Sequence, residues 1–125
     1  MNNKPKILIV EDDQDIVDVL KMALTKAGYE VDYAFDGEEA LNKVKSFKPD
    51  LILLDLMIPK IDGGTVNSKL KERPETANIP VIVITGKANL KELLNLKEGV
   101  NIAGYYEKPV KVKFLVEKIN AFFER

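Results

Sequence analysis

Two periodicities alternate along the chain. Short continuous apolar runs stand at residues 7–10 (ILIV), 51–54 (LILL) and 81–84 (VIVI). Each is too short for a helix and ends in polar or turn-forming residues, the mark of strands covered on both faces. Two other segments differ in kind. Residues 29–34 (YEVDYA) alternate, with Tyr29, Val31 and Tyr33 on one side and Glu30 and Asp32 on the other, and residues 103–107 (AGYYE) are likewise mixed. Alternation belongs to partly exposed strands, so these two are expected at the sheet edges.

Between the strands, apolar residues recur at helical spacing. Ile16, Leu20, Ala23, Leu24 and Ala27 mark a first helix, closed by Gly28. Ala40, Leu41 and Val44 mark a second after an Asp36-Gly37 start, and Val66 and Leu70 a third that stops before Pro74. Leu90, Leu93 and Leu94 mark a fourth, and Val112, Leu115, Ile119 and Phe122 the last. Three interior and two edge strands predict an α/β fold. The expected architecture is a (βα)5 flavodoxin-like three-layer sandwich with a parallel five-stranded sheet in the order 2-1-3-4-5. In that order ligands bind at the switch point between strands 1 and 3. The alternation uses residues 1–125 as one domain, with no linker, repeat or low-complexity segment.

Composition then narrows the chemistry. Nineteen basic residues against twenty acidic ones give a net charge of −1, so no domain-wide basic field exists for nucleic acid or an anionic membrane. The chain has no Cys and no His. That excludes disulfides, thiolate or imidazole metal sites, Ser-His and Cys-His nucleophile pairs, and a phosphohistidine on this chain. What remains is carboxylates, hydroxyls, lysines and backbone groups. The polar MNNKPK start reads as no signal peptide, and no apolar run approaches the ~20 residues of a membrane span. A cytoplasmic location is expected.

Asp55 stands out because it follows the most apolar run, where a charge is least tolerated. In the expected sheet all strand C-termini open on one edge. Strand 1 ends in Glu11-Asp12-Asp13, strand 3 in Asp55, strand 4 in Thr85-Gly86 and strand 5 in Lys108-Pro109. Taken singly, each has a plainer reading: an acidic triplet complements a helix dipole, a lone Asp caps a turn, and Thr85 and Lys108 are ordinary turn and surface residues. Together they make a carboxylate cluster, one hydroxyl and one lysine. Crowded carboxylates call for a cation, and oxygen-only donors open to water suit Mg²⁺. A carboxylate beside Mg²⁺ is equipped to attack a phosphoryl group and form an aspartyl phosphate, with a lysine and a hydroxyl on the transferred oxygens.

The segments ILIVEDD, LILLDLMIP followed by DG, VIVITG and YYEKP, in this order, resemble a response-regulator receiver domain of two-component signalling, of the chemotaxis-regulator type. The resemblance covers the whole chain. It implies Asp55 as phosphoacceptor, Asp12 as the direct Mg²⁺ ligand, Glu11 acting through water and the Met57 backbone carbonyl completing the metal shell. Asp13 becomes supporting charge or a helix cap. Thr85 matches the switch hydroxyl, Lys108 the phosphate-pairing lysine, and Lys108-Pro109 a cis peptide bond. Tyr105 matches the aromatic that turns inward on activation, with Tyr106 on the other sheet face. The implied donor is a sensor histidine kinase or histidine phosphotransfer protein. The implied output is the surface of the fourth helix, fifth strand and last helix, acting on a downstream effector protein or fused output domain. That surface allows a monomer or a phosphorylation-dependent dimer, with no direct nucleic-acid or membrane contact. Phe122-Phe123-Glu124-Arg125 reads as a finished helix, which favours a single-domain regulator over a fragment.

Rival functions lack residues. A haloacid-dehalogenase-type phosphatase needs a second acid two positions after the nucleophile, where Met57 stands. An FMN carrier needs a hydroxyl- or glycine-rich loop where Glu11-Asp12-Asp13 would repel phosphate. A pseudo-receiver, serving as an interaction module without phosphorylation, normally lacks one of the central residues, and all are present here. Neither Met57 nor Lys87 is suited to orienting an attacking water, so slow self-dephosphorylation is expected.

Overall fold

A computed structural model describes residues 4–86 and 102–124. The strands are β1 (Lys6–Val10), β2 (Glu30–Ala34), β3 (Leu51–Leu54), β4 (Val81–Thr85) and β5 (Ile102–Glu107). The helices are α1 (Gln14–Lys26), α2 (Gly37–Phe47), α3 (Gly63–Lys71), the single turn α4 (Pro74–Ala77) and α5 (Val112–Phe123). The sheet is parallel in the order β2-β1-β3-β4-β5, as the patterning predicted. The fourth predicted helix at Leu90, Leu93 and Leu94, together with Lys87, lies outside the described residues.

The continuous aliphatic runs feed two cores. Leu8, Val10, Ile52, Leu54, Val81 and Val83 face α2 and α3, while their strand neighbours Ile7, Ile9, Leu51, Leu53, Ile82 and Ile84 face α1 and α5. Period-two alternation thus divides one hydrophobic run between two layers. Each fully buried side chain is worth about 1.5–3 kcal/mol relative to exposure. At the edge, Tyr29, Val31 and Tyr33 all join the α1/α5 layer, as their alternation required.

Helix ends follow the local sequence. The Asp13, Asp36 and Asp62 carboxylates accept from backbone N–H groups in the first turns of α1, α2 and α3, satisfying donors that a helix leaves open. Gly28 follows α1 at φ 102, a conformation that favours glycine. Two features departed from the patterning. Pro74 stops α3 and also starts α4, because proline suits a first helical position. The β4–β5 register shifts between Val81 and Ile82, so Ile102 pairs with Val81 but Gly104 with Ile82.

Candidate phosphoacceptor site

Register brings the acids together. Val10 of β1 pairs with Leu54 of β3, so the next residues, Glu11 and Asp55, leave the sheet side by side. Backbone bonds continue past the strands: Asp55 N–H donates to the Val10 carbonyl and Glu11 N–H to the Ala34 carbonyl, each at 3.0 Å. Both carboxylates are buried, Glu11 4% and Asp55 5% exposed. Such groups are tolerated only with partners.

The partner is Lys108. Its Nζ donates to Glu11 Oε1 at 2.6 Å and to Asp55 Oδ2 at 2.8 Å. The remaining oxygens are held by backbone: Glu11 Oε2 accepts from Asp13 N–H at 3.1 Å, and Asp55 Oδ1 from Met57 N–H at 2.9 Å. Lys108 is itself aimed by its N–H, which donates to the Thr85 carbonyl at 2.8 Å, and the Lys108–Pro109 peptide is cis. Burial pushes the Glu11 carboxyl above its usual range, aided by the Asp55 charge and opposed by the Lys108 and Asp13 hydrogen bonds. Burial alone would lower the Lys108 ammonium. The hydrogen bonds and charges of Asp55 and Glu11 outweigh it, and the net shift is upward.

Asp12 differs from its neighbour. It is exposed, yet it, Glu11 and Asp55 each offer a carboxylate oxygen, and these lie within 4.8 Å of one another. Among the described residues, three clustered carboxylates therefore have one ammonium bound to them. The excess negative charge, the all-oxygen donor set and the open Asp12 side fit a Mg²⁺ ion that keeps several waters. Met57 is 65% exposed, and its backbone N–H is the group that bonds Asp55.

Thr85 and Tyr105 stand apart from this hydrogen-bonded set. Thr85 is 1% exposed, and its Oγ1 is buried with no partner among the described residues. The Tyr105 hydroxyl is also buried with no partner among the described residues, and its ring packs against the α2/α3 layer while Tyr106 packs against the α1/α5 layer. Beside the acids a cavity of about 560 Å³ opens between α1 and the start of α5. Ile16, Val19, Leu20, Val110 and Val112 line it, and Glu11, Asp55 and Lys108 stand at its edge. Sequence periodicity marked those aliphatic residues as core or left them unassigned; it carried no signal for the opening between them.

Residues 7–120 match the response regulator receiver domain family. The chain belongs to that family. It is 36% identical over 122 residues to the DNA-binding dual master transcriptional regulator RpaA of Synechocystis, an alignment covering 97% of this chain and 50% of RpaA. Against the alkaline phosphatase synthesis transcriptional regulatory protein PhoP of Bacillus subtilis, identity is 37% over 121 residues, covering 96% of this chain and 49% of PhoP. This receiver domain therefore spans about half the length of these curated relatives. Among solved structures, a CheY-like response regulator receiver domain protein from Methanospirillum hungatei superposes with a TM-score of 0.86 at 33% identity, covering 96% of this chain and 94% of that one. The Francisella response regulator 1452 receiver domain gives 0.81 at 29%, covering 94% and 95%.

The receiver domain is thus a signalling module of two-component systems, and its cluster sits at the β1/β3 switch point. No helix among the described residues is long and apolar enough to cross a membrane.

Proposed function

We propose that this cytoplasmic receiver domain is the phosphoacceptor of a two-component phosphorelay, taking a phosphoryl group onto Asp55 from a phosphohistidine on a sensor histidine kinase or a histidine phosphotransfer protein. The observation that carries the reading is one ammonium held between two buried carboxylates from adjacent strands. That arrangement holds Asp55 oriented and largely out of water. Such a carboxylate is pre-positioned for attack.

An Asp55 oxygen attacks phosphorus while the P–N bond to the donor imidazole breaks. The electron pair leaves on the imidazole nitrogen, which takes up a proton. Lys108 follows the charge from carboxylate to phosphoryl oxygens. The Asp12 and Asp55 carboxylates, the Met57 carbonyl and Glu11 through water would hold Mg²⁺. When bound, that ion supplies positive charge to the phosphoryl oxygens. The chain catalyses only its own phosphorylation and dephosphorylation, and it is no turnover enzyme.

The Thr85 hydroxyl, without a partner among the described residues, has a donor to give, and a phosphoryl oxygen on Asp55 would accept it. Tyr105 is packed inward here. Engagement of Thr85 then biases the ring between this packed position and an exposed one, and with it the surface of the fourth predicted helix, β5 and α5. That surface addresses a downstream effector or a fused output domain, as a monomer or a phosphorylation-dependent dimer. The greater length of RpaA and PhoP leaves room for such an output domain in them.

The test mixes the chain with a small acyl phosphate or phosphoramidate, with Mg²⁺ or with chelator, and counts phosphoryl groups by intact mass. One group with Mg²⁺ and none with chelator is the expected result. Absence of incorporation under both conditions would make the domain an interaction module.

A further inference from the structure

The loop from Leu56 to Asp62 carries Met57 and joins β3 to α3, and two glycines clamp it. A Cβ on Gly63 would stand 2.6 Å from the Asp55 carbonyl oxygen and 2.7 Å from Leu56 Cα. That contact is local, since Gly63 N–H also donates to the Leu56 carbonyl at 3.0 Å. Gly37 is not local. It is the first residue of α2, and a Cβ there would stand 1.9 Å from the Ile61 carbonyl oxygen and 2.7 Å from Ile61 Cβ.

Three consecutive loop residues meet the start of α2. Gly37 N–H donates to the Pro59 carbonyl at 3.2 Å. Lys60, at φ 67, makes an ion pair with Asp36 at 3.5 Å. Ile61 lies against Gly37 itself. Alanine is the better helix former and Gly37 has no positive φ, so α2 gains nothing from glycine. Its absent side chain serves the loop.

We propose that Gly37 is a positioning residue for the Mg²⁺ and phosphoryl site, holding residues 59–61 against α2 and through them fixing the Met57 backbone beside Asp55. The inference rests on the phosphoacceptor reading above. A methyl at Gly37 cannot coexist with the Ile61 carbonyl, a backbone atom with no rotamer to yield. The loop must move, and Met57 lies only two residues from the Pro59 contact. Groups that orient metal ligands typically change affinity by about 10–100-fold when altered.

Isothermal titration with Mg²⁺ alone compares the wild-type chain with Gly37→Ala, at a temperature where circular dichroism shows both folded. The expected result is affinity weakened about tenfold or more. A merely structural role would lower stability and leave the affinity of the folded chain alone. Affinity within about twofold of wild type overturns the proposal and leaves the phosphoacceptor reading standing. Absence of Mg²⁺ binding by the wild-type chain overturns both. If Gly37→Ala does not fold, amide NMR of the wild-type chain decides. Mg²⁺ should then shift the Gly37 amide along with that of Met57, and an unmoved Gly37 amide beside a shifted Met57 overturns the proposal.

Discussion

Lys43 and Lys108 both meet carboxylates across the fold, in opposite circumstances. Lys43, on α2, reaches Asp32 of β2 at 3.0 Å, and the two side chains are 33% and 28% exposed. One cation meets one anion near solvent, with the Tyr33 ring 5.6 Å away. The Asp32 hydrogen bond raises the Lys43 ammonium. Nothing is left over, and an exposed pair of this kind contributes about 1 kcal/mol or less. Lys108 serves two carboxylates whose side chains are each only 6% exposed, with Asp12 close by. Among the described residues a negative charge here remains unmatched in a poorly hydrated place. The first pair closes an edge of the fold; the second cluster is incomplete until a cation or phosphoryl group joins it.

The largest effect expected is from Asp55→Asn. It should abolish phosphoryl incorporation while leaving the metal-free chain as stable as wild type or more so, because it removes one of the crowded charges. Urea unfolding and intact mass report the two halves. Equal incorporation in that variant, at another residue, would remove Asp55 from its role.

Lys108→Ala sharpens the contrast with Lys43→Ala. The first strands two buried carboxylates and should cost about 3 kcal/mol in chelator, part of which Mg²⁺ restores. The second should cost less than about 1 kcal/mol and be indifferent to Mg²⁺. Similar losses from both, in urea unfolding with and without metal, would dissolve the distinction.

A smaller effect separates Glu11 from Asp36 by sign. Glu11 is raised above 4.5, chiefly by burial, so the unfolded chain releases that proton first. Its contribution favours folding below 4.5 and is lost as pH rises toward the folded value. Asp36 is lowered below 3.8, chiefly by the Glu39 backbone hydrogen bond, so its contribution is present above 3.8 and lost as pH falls through the folded value. In chelator, Glu11→Gln should flatten a stability loss on the rising side, and Asp36→Asn one on the falling side. Slopes of the same sign would contradict the assignment. Smallest of all, Met57→Asn should change the decay of the aspartyl phosphate by a few-fold, on the order of one hydrogen bond to water. An unchanged decay would remove Met57 from control of the attacking water.

Much of this was legible because parallel sheets write themselves plainly. LILL and VIVI admit few readings besides buried strands, YEVDYA shows one exposed face, and a charge after LILL signals a site. Glu11 and Asp12, however, look equivalent in sequence; only the way the chain leaves β1 buries one and exposes the other. Pro74 was read only as a stop although proline also suits a first helical position, and the turn it begins is tied back to α3 by the buried Thr76 hydroxyl, which donates to the Leu70 carbonyl. The β4–β5 shift, the cavity beside Lys108 and the approach of Gly37 to Ile61 arise from packing between segments distant in the chain, for which local pattern carries no signal.

Reductive trapping tests the central claim most directly. After treatment with a small phosphodonor and Mg²⁺, borohydride converts an aspartyl phosphate to homoserine, which peptide mapping then locates. The account predicts conversion at Asp55 alone, absent in chelator. Conversion at Asp12 or Asp13 instead, or equal conversion without Mg²⁺, would contradict it.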